Sequence, residues 1–291
     1  MTNTVQSINS VSRSVHRPNL SGVPETMLWP LWHRASEQKR SNPLINDPLA
    51  LELVDTIDYD FRGAFGPPNA AHVIRAALSD ELVRKHIASS EGKPVVVSLG
   101  DGLETQPWRI DDQRVRWVSV DLPESIACRR DLLPSHPGIE HVAASALDPI
   151  WLKAVPRDSK PFISAAGLLM YFSESDVRRL LTTIADEFQQ ATIFFDTIPE
   201  ILSRKTRKGF FVTPRYRAPA MPWGIAIDDV RDFIAQIPGL ACERALTYGQ
   251  AYPSRTPVLA KLSRIGFLRR RLAPGLVVAK CVPRSFDRSY R

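Results

Sequence analysis

The chain has 291 residues, 44% of them hydrophobic, which suffices for one large α/β core with a helical elaboration and is too apolar for a disordered polymer. Its longest unbroken apolar stretch, residues 165–172, falls far short of the roughly 20 residues that span a bilayer, so no membrane span is expected. The net charge of +7 is local: residues 261–291 contribute +8 through nine Lys or Arg against Asp287, the remainder is near neutral at −1, and no nucleic-acid partner is expected.

Residues 1–24 hold no acid before Glu25 and carry Ser7, Ser10, Ser12, Arg13, Ser14 and Arg17. The composition touches that of a transit peptide, but a disordered, solvated tail is the preferred reading, and without a central apolar region secretion is not expected. Residues 29–58 read as helical and are divided by Pro43 and Pro48. A loop marked by Gly63, Gly66, Pro67 and Pro68 follows, then a second helix over 70–87, so residues 25–92 read as a helical cap.

From Pro94 onward the pattern changes. Short β-branched runs at 95–99, 115–120, 139–143, 162–165 and 192–196 alternate with helical periodicity, the signature of βαβ units around a parallel sheet. Ser173 and Asp176 form a capping box for a helix whose Val177, Leu180, Leu181, Ile184, Ala185 and Phe188 recur on one face. A basic, proline-rich excursion at about 200–227 is too long for a simple connection and reads as a lid insertion. Its Phe210, Phe211, Tyr216, Met221, Pro222 and Trp223 either cover a planar ligand or pin the loop. A helix over 228–236 and a last strand over 276–282, with 241–247 as its neighbour, complete a core domain over 93–291.

Cys128, Cys242 and Cys281 are odd in number and widely spaced, and the six histidines show no ligand spacing. Neither a disulfide framework nor a metal site is expected, and a reducing, cytoplasmic setting fits.

The run Val95-Val96-Val97-Ser98-Leu99-Gly100-Asp101-Gly102-Leu103 sets a glycine pair directly after a hydrophobic strand, where glycine permits a sharp turn and close approach of a ligand to the backbone. Asp121 ends the next strand nineteen positions after Gly102, where a carboxylate can accept both ribose hydroxyls of an adenosine cofactor. Thr105 occupies the third glycine position of a dinucleotide fingerprint. Asp101 and Glu104 would repel phosphates yet suit an ammonium or a sulfonium, so S-adenosylmethionine (AdoMet) is preferred to NAD.

The residues then reach a resemblance. Gly100-Asp101-Gly102-Leu103-Glu104-Thr105-Gln106-Pro107-Trp108-Arg109, followed by Arg116-Trp117-Val118-Ser119-Val120-Asp121-Leu122-Pro123-Glu124, resembles the leucine carboxyl methyltransferase superfamily. Its bacterial branch of polyketide O-methyltransferases, of the tetracenomycin-pathway type, is nearest. Asn46-Asp47-Pro48-Leu49-Ala50, Ile57-Asp58-Tyr59-Asp60-Phe61, Arg129-Arg130-Asp131-Leu132-Leu133-Pro134 and Gly167-Leu168-Leu169-Met170-Tyr171 extend the likeness over about residues 28–227.

The resemblance implies the α/β fold of class I AdoMet-dependent methyltransferases: a Rossmann-like, mostly parallel seven-stranded sheet with a final antiparallel strand, plus a helical N-terminal cap. It implies that Arg75 binds the methionyl carboxylate, a partner suited to a guanidinium fork. It further implies that Ser145 and Ala146 contact adenine, that Leu122 lies beside the ribose-binding Asp121, and that Ala166, Gly167 and Leu168 lie beneath the methionine portion. Ala166, Ser145 and Gln106 depart from the Glu or Gln, Asp and Arg that relatives often carry there.

Methyl transfer from a sulfonium is a direct displacement that needs alignment and exclusion of water, with S-adenosylhomocysteine (AdoHcy) as product. No base stands out; His33, His72 and Tyr171 are the catalytic candidates, and Trp29, Trp32, Arg34, Tyr59, Tyr171, Tyr216, Met221 and Trp223 the residues expected to face a small-molecule acceptor. The leading reading is an O-methyltransferase acting on a carboxylate or phenolic hydroxyl of a small secondary metabolite. Alternatives are methylation of a protein C-terminal carboxylate, a non-catalytic AdoMet-binding protein motivated by Ala166 and, least favoured, an NAD-linked oxidoreductase.

Overall fold

Nine runs among the described residues form strands: β1 (Val95–Leu99), β2 (Arg116–Asp121), β3 (Ile139–Ala143), β4 (Phe162–Ala165), β5 (Thr192–Thr197), β6 (Phe211–Thr213), β7 (Tyr216–Arg217), β8 (Leu240–Thr247) and β9 (Gly275–Cys281). The computed structural model that shows them describes residue 16 and residues 20–283, so Ser7 to Ser14 and Arg17 of the expected tail lie outside the described residues. Seven strands make one sheet in the order β3-β2-β1-β4-β5-β9-β8, with β6 and β7 a separate hairpin. The first five pair in parallel, while β9 runs antiparallel to both β5 and β8. This is the expected class I methyltransferase sheet.

The central strands are apolar on both faces, so both faces must be covered. Alternation along β1 divides the core: Val95, Val97 and Leu99 join one cluster, and Val96 joins another. Against the second face packs the fourth of the helices α1 (Leu28–Gln38), α2 (Pro48–Thr56), α3 (Phe61–Phe65) and α4 (Ala71–Ser89), through Ile74, Leu78 and Val83. The chain continues through α5 (Gln106–Ile110), α6 (Pro123–Leu132), α7 (Glu174–Glu187), α8 (Glu200–Arg207), α9 (Val230–Ala235), α10 (Tyr248–Ala251), α11 (Pro257–Leu262) and α12 (Gly266–Leu272). The expected stripe of α7, Val177, Leu180, Leu181 and Ile184, is buried on the first face, each side chain contributing about 1.5 to 3 kcal/mol. Ser173 caps this helix by accepting the Asp176 amide at 3.2 Å.

Prolines set the cap boundaries. Pro48 opens α2, where its missing N–H costs nothing, and Asp47 caps the helix by accepting the Ala50 amide at 3.1 Å. The stretch expected to be a glycine-marked loop instead contains α3, because Asp60 caps it through the Gly63 amide at 2.8 Å and Gly66, at φ +72°, ends it. The excursion after β5 is not a free loop: α8 leads into the β6–β7 hairpin, and Thr213 Oγ1 donates to the Gly63 and Ala64 carbonyls at 2.7 and 2.9 Å. The basic run Arg269, Arg270, Arg271 lies on α12, where Arg269 and Arg270 pair with Asp228 and Asp229 instead of being purely solvated. Among the described residues, no helix is long and apolar enough to cross a membrane.

Candidate cofactor and acceptor site

A crevice opens at the carboxyl ends of β1, β2 and β4, where the chain leaves β1 for neighbours on opposite sides. The sheet side contributes residues 100–103, Asp121, Leu122, Ala166, Gly167 and Leu168. The cap side contributes Pro24, Thr26, Met27, Pro30, His72 and Arg75, and Tyr171 closes a further wall.

Glycine is required in this wall for conformation and for space. Gly102 sits at φ +48°, and a Cβ there would lie 2.8 Å from Met27 Cβ. Gly167 sits at φ +78°, and a Cβ there would lie 2.6 Å from Arg75 Nη1. Both values are closer than real Cβ contacts allow.

Asp121 and the glycine turn are in direct contact. Asp121 Oδ2 accepts the Gly102 amide at 2.7 Å and Oδ1 accepts the Leu122 amide at 2.7 Å. Burial raises the carboxyl pKa above its ordinary value, against the pull of those amides.

The loop acids behave differently from the expectation of free charge facing a ligand. Asp101 accepts the Ser119 hydroxyl at 2.6 Å and lies 2.9 Å from Arg129 Nη2. Burial still pushes its carboxyl up to about 6. Glu104 pairs with Arg109 at 2.6 Å and Arg34 at 3.3 Å; burial opposes its charge, but the two arginines outweigh it and hold the carboxyl down at about 2. Both charges are thus answered within the protein. Arg129, fully buried on α6, also donates to the Gly102 and Glu104 carbonyls at 2.9 and 2.8 Å and so fixes the turn from behind.

Arg34, expected to meet an acidic acceptor, borders the crevice but spends its donors on Asp47 of the cap and on the glycine turn. It donates to Asp47 Oδ2 at 2.9 Å and to the Leu103 carbonyl at 2.7 Å. Asp47 also accepts from Thr105 Oγ1 and from Arg109 Nη1, and Arg109 grips Asp80 in bidentate fashion with two bonds of 2.8 Å. The cluster clasps the cap to the glycine turn. Gln106 joins it through Ser79 and Asp80, at 2.9 and 2.8 Å.

Arg75 projects from α4 into the crevice wall and pairs with Asp196 Oδ2 at 2.9 Å. Asp196 also accepts the Gly167 amide at 2.5 Å and the Tyr248 hydroxyl at 3.0 Å. Sequence reasoning missed Asp196, Tyr248, Asp80 and Arg109 as supports of the site. Asp47, Arg109 and Arg129 stand within motifs it had quoted, which was the available signal.

Of the histidines, His72 borders the crevice and His33 lies fully buried behind it. Their Nδ1 atoms are 2.9 Å apart, and the Trp29 indole donates to His33 Nε2 at 3.1 Å. Burial, then the Arg75 and Arg34 charges, pulls His33 down to about 4. Burial, then His33 and the same arginines, pulls His72 well below the usual imidazole range. Tyr171 also lines the crevice, and burial raises its phenol.

Several expected acceptor contacts lie elsewhere. Trp223 is buried in the sheet core against Phe195 and Phe233. Trp32 stacks on Phe61 and donates to the Gly66 carbonyl at 3.1 Å, and Tyr59 donates to Glu25 at 2.8 Å. Met221 is held through its amide by Thr206 Oγ1 at 3.0 Å. None of the four lines the crevice. Trp29 and Tyr216 pack on each other and on Phe65, with Trp29 also edge-on to His72. Ser145 and Ala146 follow β3 outside the crevice lining: Ser145 Oγ accepts the Leu147 amide at 3.2 Å, and the Ala146 carbonyl accepts the Trp151 indole at 3.1 Å.

Comparison with known proteins accords with this arrangement. The model of the leucine carboxyl methyltransferase family matches residues 28–185. The tetracenomycin polyketide synthesis O-methyltransferase TcmP of Streptomyces glaucescens is 30% identical over 224 residues, covering 76% of this chain and 81% of that protein. The S-adenosyl-L-methionine-dependent methyltransferase dpfgK of Gibberella zeae is 24% identical over 273 residues, covering 85% and 86%. A candidate methyltransferase from Thermobifida fusca YX shares the fold, with a TM-score of 0.52 at 16% identity over 91% of this chain and 95% of its own. The chain belongs to the leucine carboxyl methyltransferase family and is a methyltransferase whose cofactor is S-adenosylmethionine.

Proposed function

We propose that the protein methylates an oxygen, a carboxylate or a phenolic hydroxyl, of a small secondary metabolite. The carrying observation is the joint between Gly102 and Asp121 at one side of a crevice whose other side is formed by His72, Arg75 and Tyr171. Gly102 and Asp121 suit an adenosine, Arg75 suits the methionyl carboxylate, and His72 and Tyr171 suit an acceptor beside them. The similarity to TcmP, named as a polyketide synthesis O-methyltransferase, supports the same acceptor class.

The residues present fit the cofactor by their donor and acceptor chemistry. Asp121 takes the Gly102 and Leu122 amides and a Ser125 hydroxyl, and the acceptor capacity its carboxylate has left suits a ribose hydroxyl. Arg75 offers a guanidinium for the methionyl carboxylate while Asp196 holds it in place. When bound, AdoMet supplies an electrophilic methyl group on a sulfonium. The chain's own contribution is alignment and exclusion of water, and the cap residues Pro24, Thr26 and Met27 lie over the crevice to provide it. A carboxylate acceptor is already ionised near neutral pH, so it needs no base. Thr105, at the third fingerprint position, is fully buried with its hydroxyl on Asp47, an arrangement that argues against a dinucleotide.

The test is transfer of labelled methyl from AdoMet to a panel of aromatic carboxylates, phenols and peptide carboxylates, with the product identified by NMR. An O-methyl ester or ether of a small aromatic is expected. Labelling confined to nitrogen, carbon or a peptide terminus would contradict the proposal.

A further inference from the structure

The contacts of Trp29, His33 and His72 determine where their protons are. An indole N–H can only donate, so His33 Nε2, 3.1 Å from Trp29 Nε1, carries no proton and accepts. A neutral His33 then bears its proton on Nδ1. That nitrogen is 2.9 Å from His72 Nδ1, and one of the two must donate. Were His72 the donor, His33 would lack both ring protons and would be an imidazolate, which is untenable in a site bordered by buried apolar groups. His33 therefore donates, His72 Nδ1 accepts, and the proton of a neutral His72 sits on Nε2.

The charged groups facing this pair are Arg34 on α1 and Arg75 on α4, and both disfavour an imidazolium. His72 borders the crevice, and no protein partner for its Nε2 is found among the described residues. Packed on the same Trp29 indole is Tyr216, whose buried hydroxyl likewise lacks a partner among the described residues.

We propose that Trp29 and His33 lock His72 as a neutral hydrogen-bond donor, forming an oxygen-binding subsite for the methyl acceptor. The acceptor class is one that offers a carboxylate, phenolate or carbonyl oxygen to that N–H. This rests on the proposed methyl transfer to a small molecule and deepens it. In the locked tautomer His72 orients the acceptor and takes no proton from it, so a residue of the type expected to serve as base serves as a positioning donor.

Full-length protein with 15N-labelled histidine, loaded with AdoHcy, tests the lock by NMR from about pH 5.5 to about pH 9. The Nε2–H tautomer of His72 is expected throughout, with no titration. The Nδ1–H tautomer, or protonation near the ordinary imidazole value, would overturn the proposal. Naphthoate, naphthol and naphthalene are then the ligand probes. The oxygen-bearing pair is expected to shift the His72 Nε2 resonance and to bind at least about tenfold more weakly to His72→Leu, whereas His72→Gln, which keeps a donor, stays within about threefold of wild type. Oxygen-bearing probes that bind no better than naphthalene, or equal losses in the two variants, would also overturn it. AdoHcy affinity, measured on the same samples, separates the two levels: its absence counts against the methyltransferase site as a whole, and its presence with the wrong tautomer counts against the subsite alone.

Discussion

Arg75 and Asp196, 121 residues apart, meet in a buried ion pair at 2.9 Å, and the same aspartate holds the Gly167 amide. The pair joins the cap to the end of β5. Removing the cation in Arg75→Ala leaves the carboxylate with only neutral donors, so unfolding stability should fall by about 3 to 5 kcal/mol. Adding Asp196→Asn should restore much of that stability without restoring AdoMet affinity. Urea denaturation and calorimetric titration of the single and double variants check the two effects separately.

Asp121→Ala should weaken AdoMet binding by about 1.5 to 3 kcal/mol through loss of the ribose hydrogen bonds. The Gly102 amide loses its partner as well, so the glycine turn should exchange amide hydrogens faster. Unchanged affinity in a folded variant would remove Asp121 from the cofactor site.

Gly102→Ala combines two costs, a backbone at φ +48° and a Cβ 2.8 Å from Met27. The backbone alone costs about 1 to 2 kcal/mol. Gly22→Ala is the comparison, with φ +66° and open space around it. The Gly102 variant should lose more stability and should also lose AdoMet affinity, which calorimetry on both variants would show.

Stability should depend on pH through groups of opposite sign. His33, held down at about 4, stays neutral in the fold while the unfolded chain takes up a proton near 6.5. Its contribution is full above about pH 6.5 and is lost as pH falls toward about 4, amounting to about 2 kcal/mol between pH 7 and pH 5. His72 acts in the same direction. Asp101, raised to about 6, works the other way, because its native form retains a proton that the unfolded chain releases, so its contribution is lost as pH rises through that range. Asp101→Asn should therefore widen the stability difference between pH 7 and pH 5 by about 1 kcal/mol, as read from urea midpoints. A narrower difference would contradict the assignment.

Local signals carried much of this structure. The runs 95–99, 139–143 and 162–165 match β1, β3 and β4 residue for residue: β1 and β4 are short buried apolar runs, and β3 is the partly exposed edge strand of the same sheet. The Gly100 to Gly102 turn and Asp121 were legible because a tight bend and a strand tip are each written within a few residues. What escaped was non-local. The β6–β7 hairpin is anchored by Thr213 to carbonyls about 150 residues away, and Arg75 finds its acid across the fold. Aromatic residues misled for a related reason: Trp32, Tyr59 and Trp223 look alike in sequence whether they line a crevice or pack on other rings, and only their partners in the fold distinguish them.

A crystal structure with AdoHcy tests the central claim most directly. Ribose hydroxyls bonded to Asp121, the homocysteine carboxylate at Arg75 and the sulfur facing the His72 side of the crevice are expected. Density for the ligand at any other surface, or in this crevice with its ribose turned away from Asp121, would contradict it.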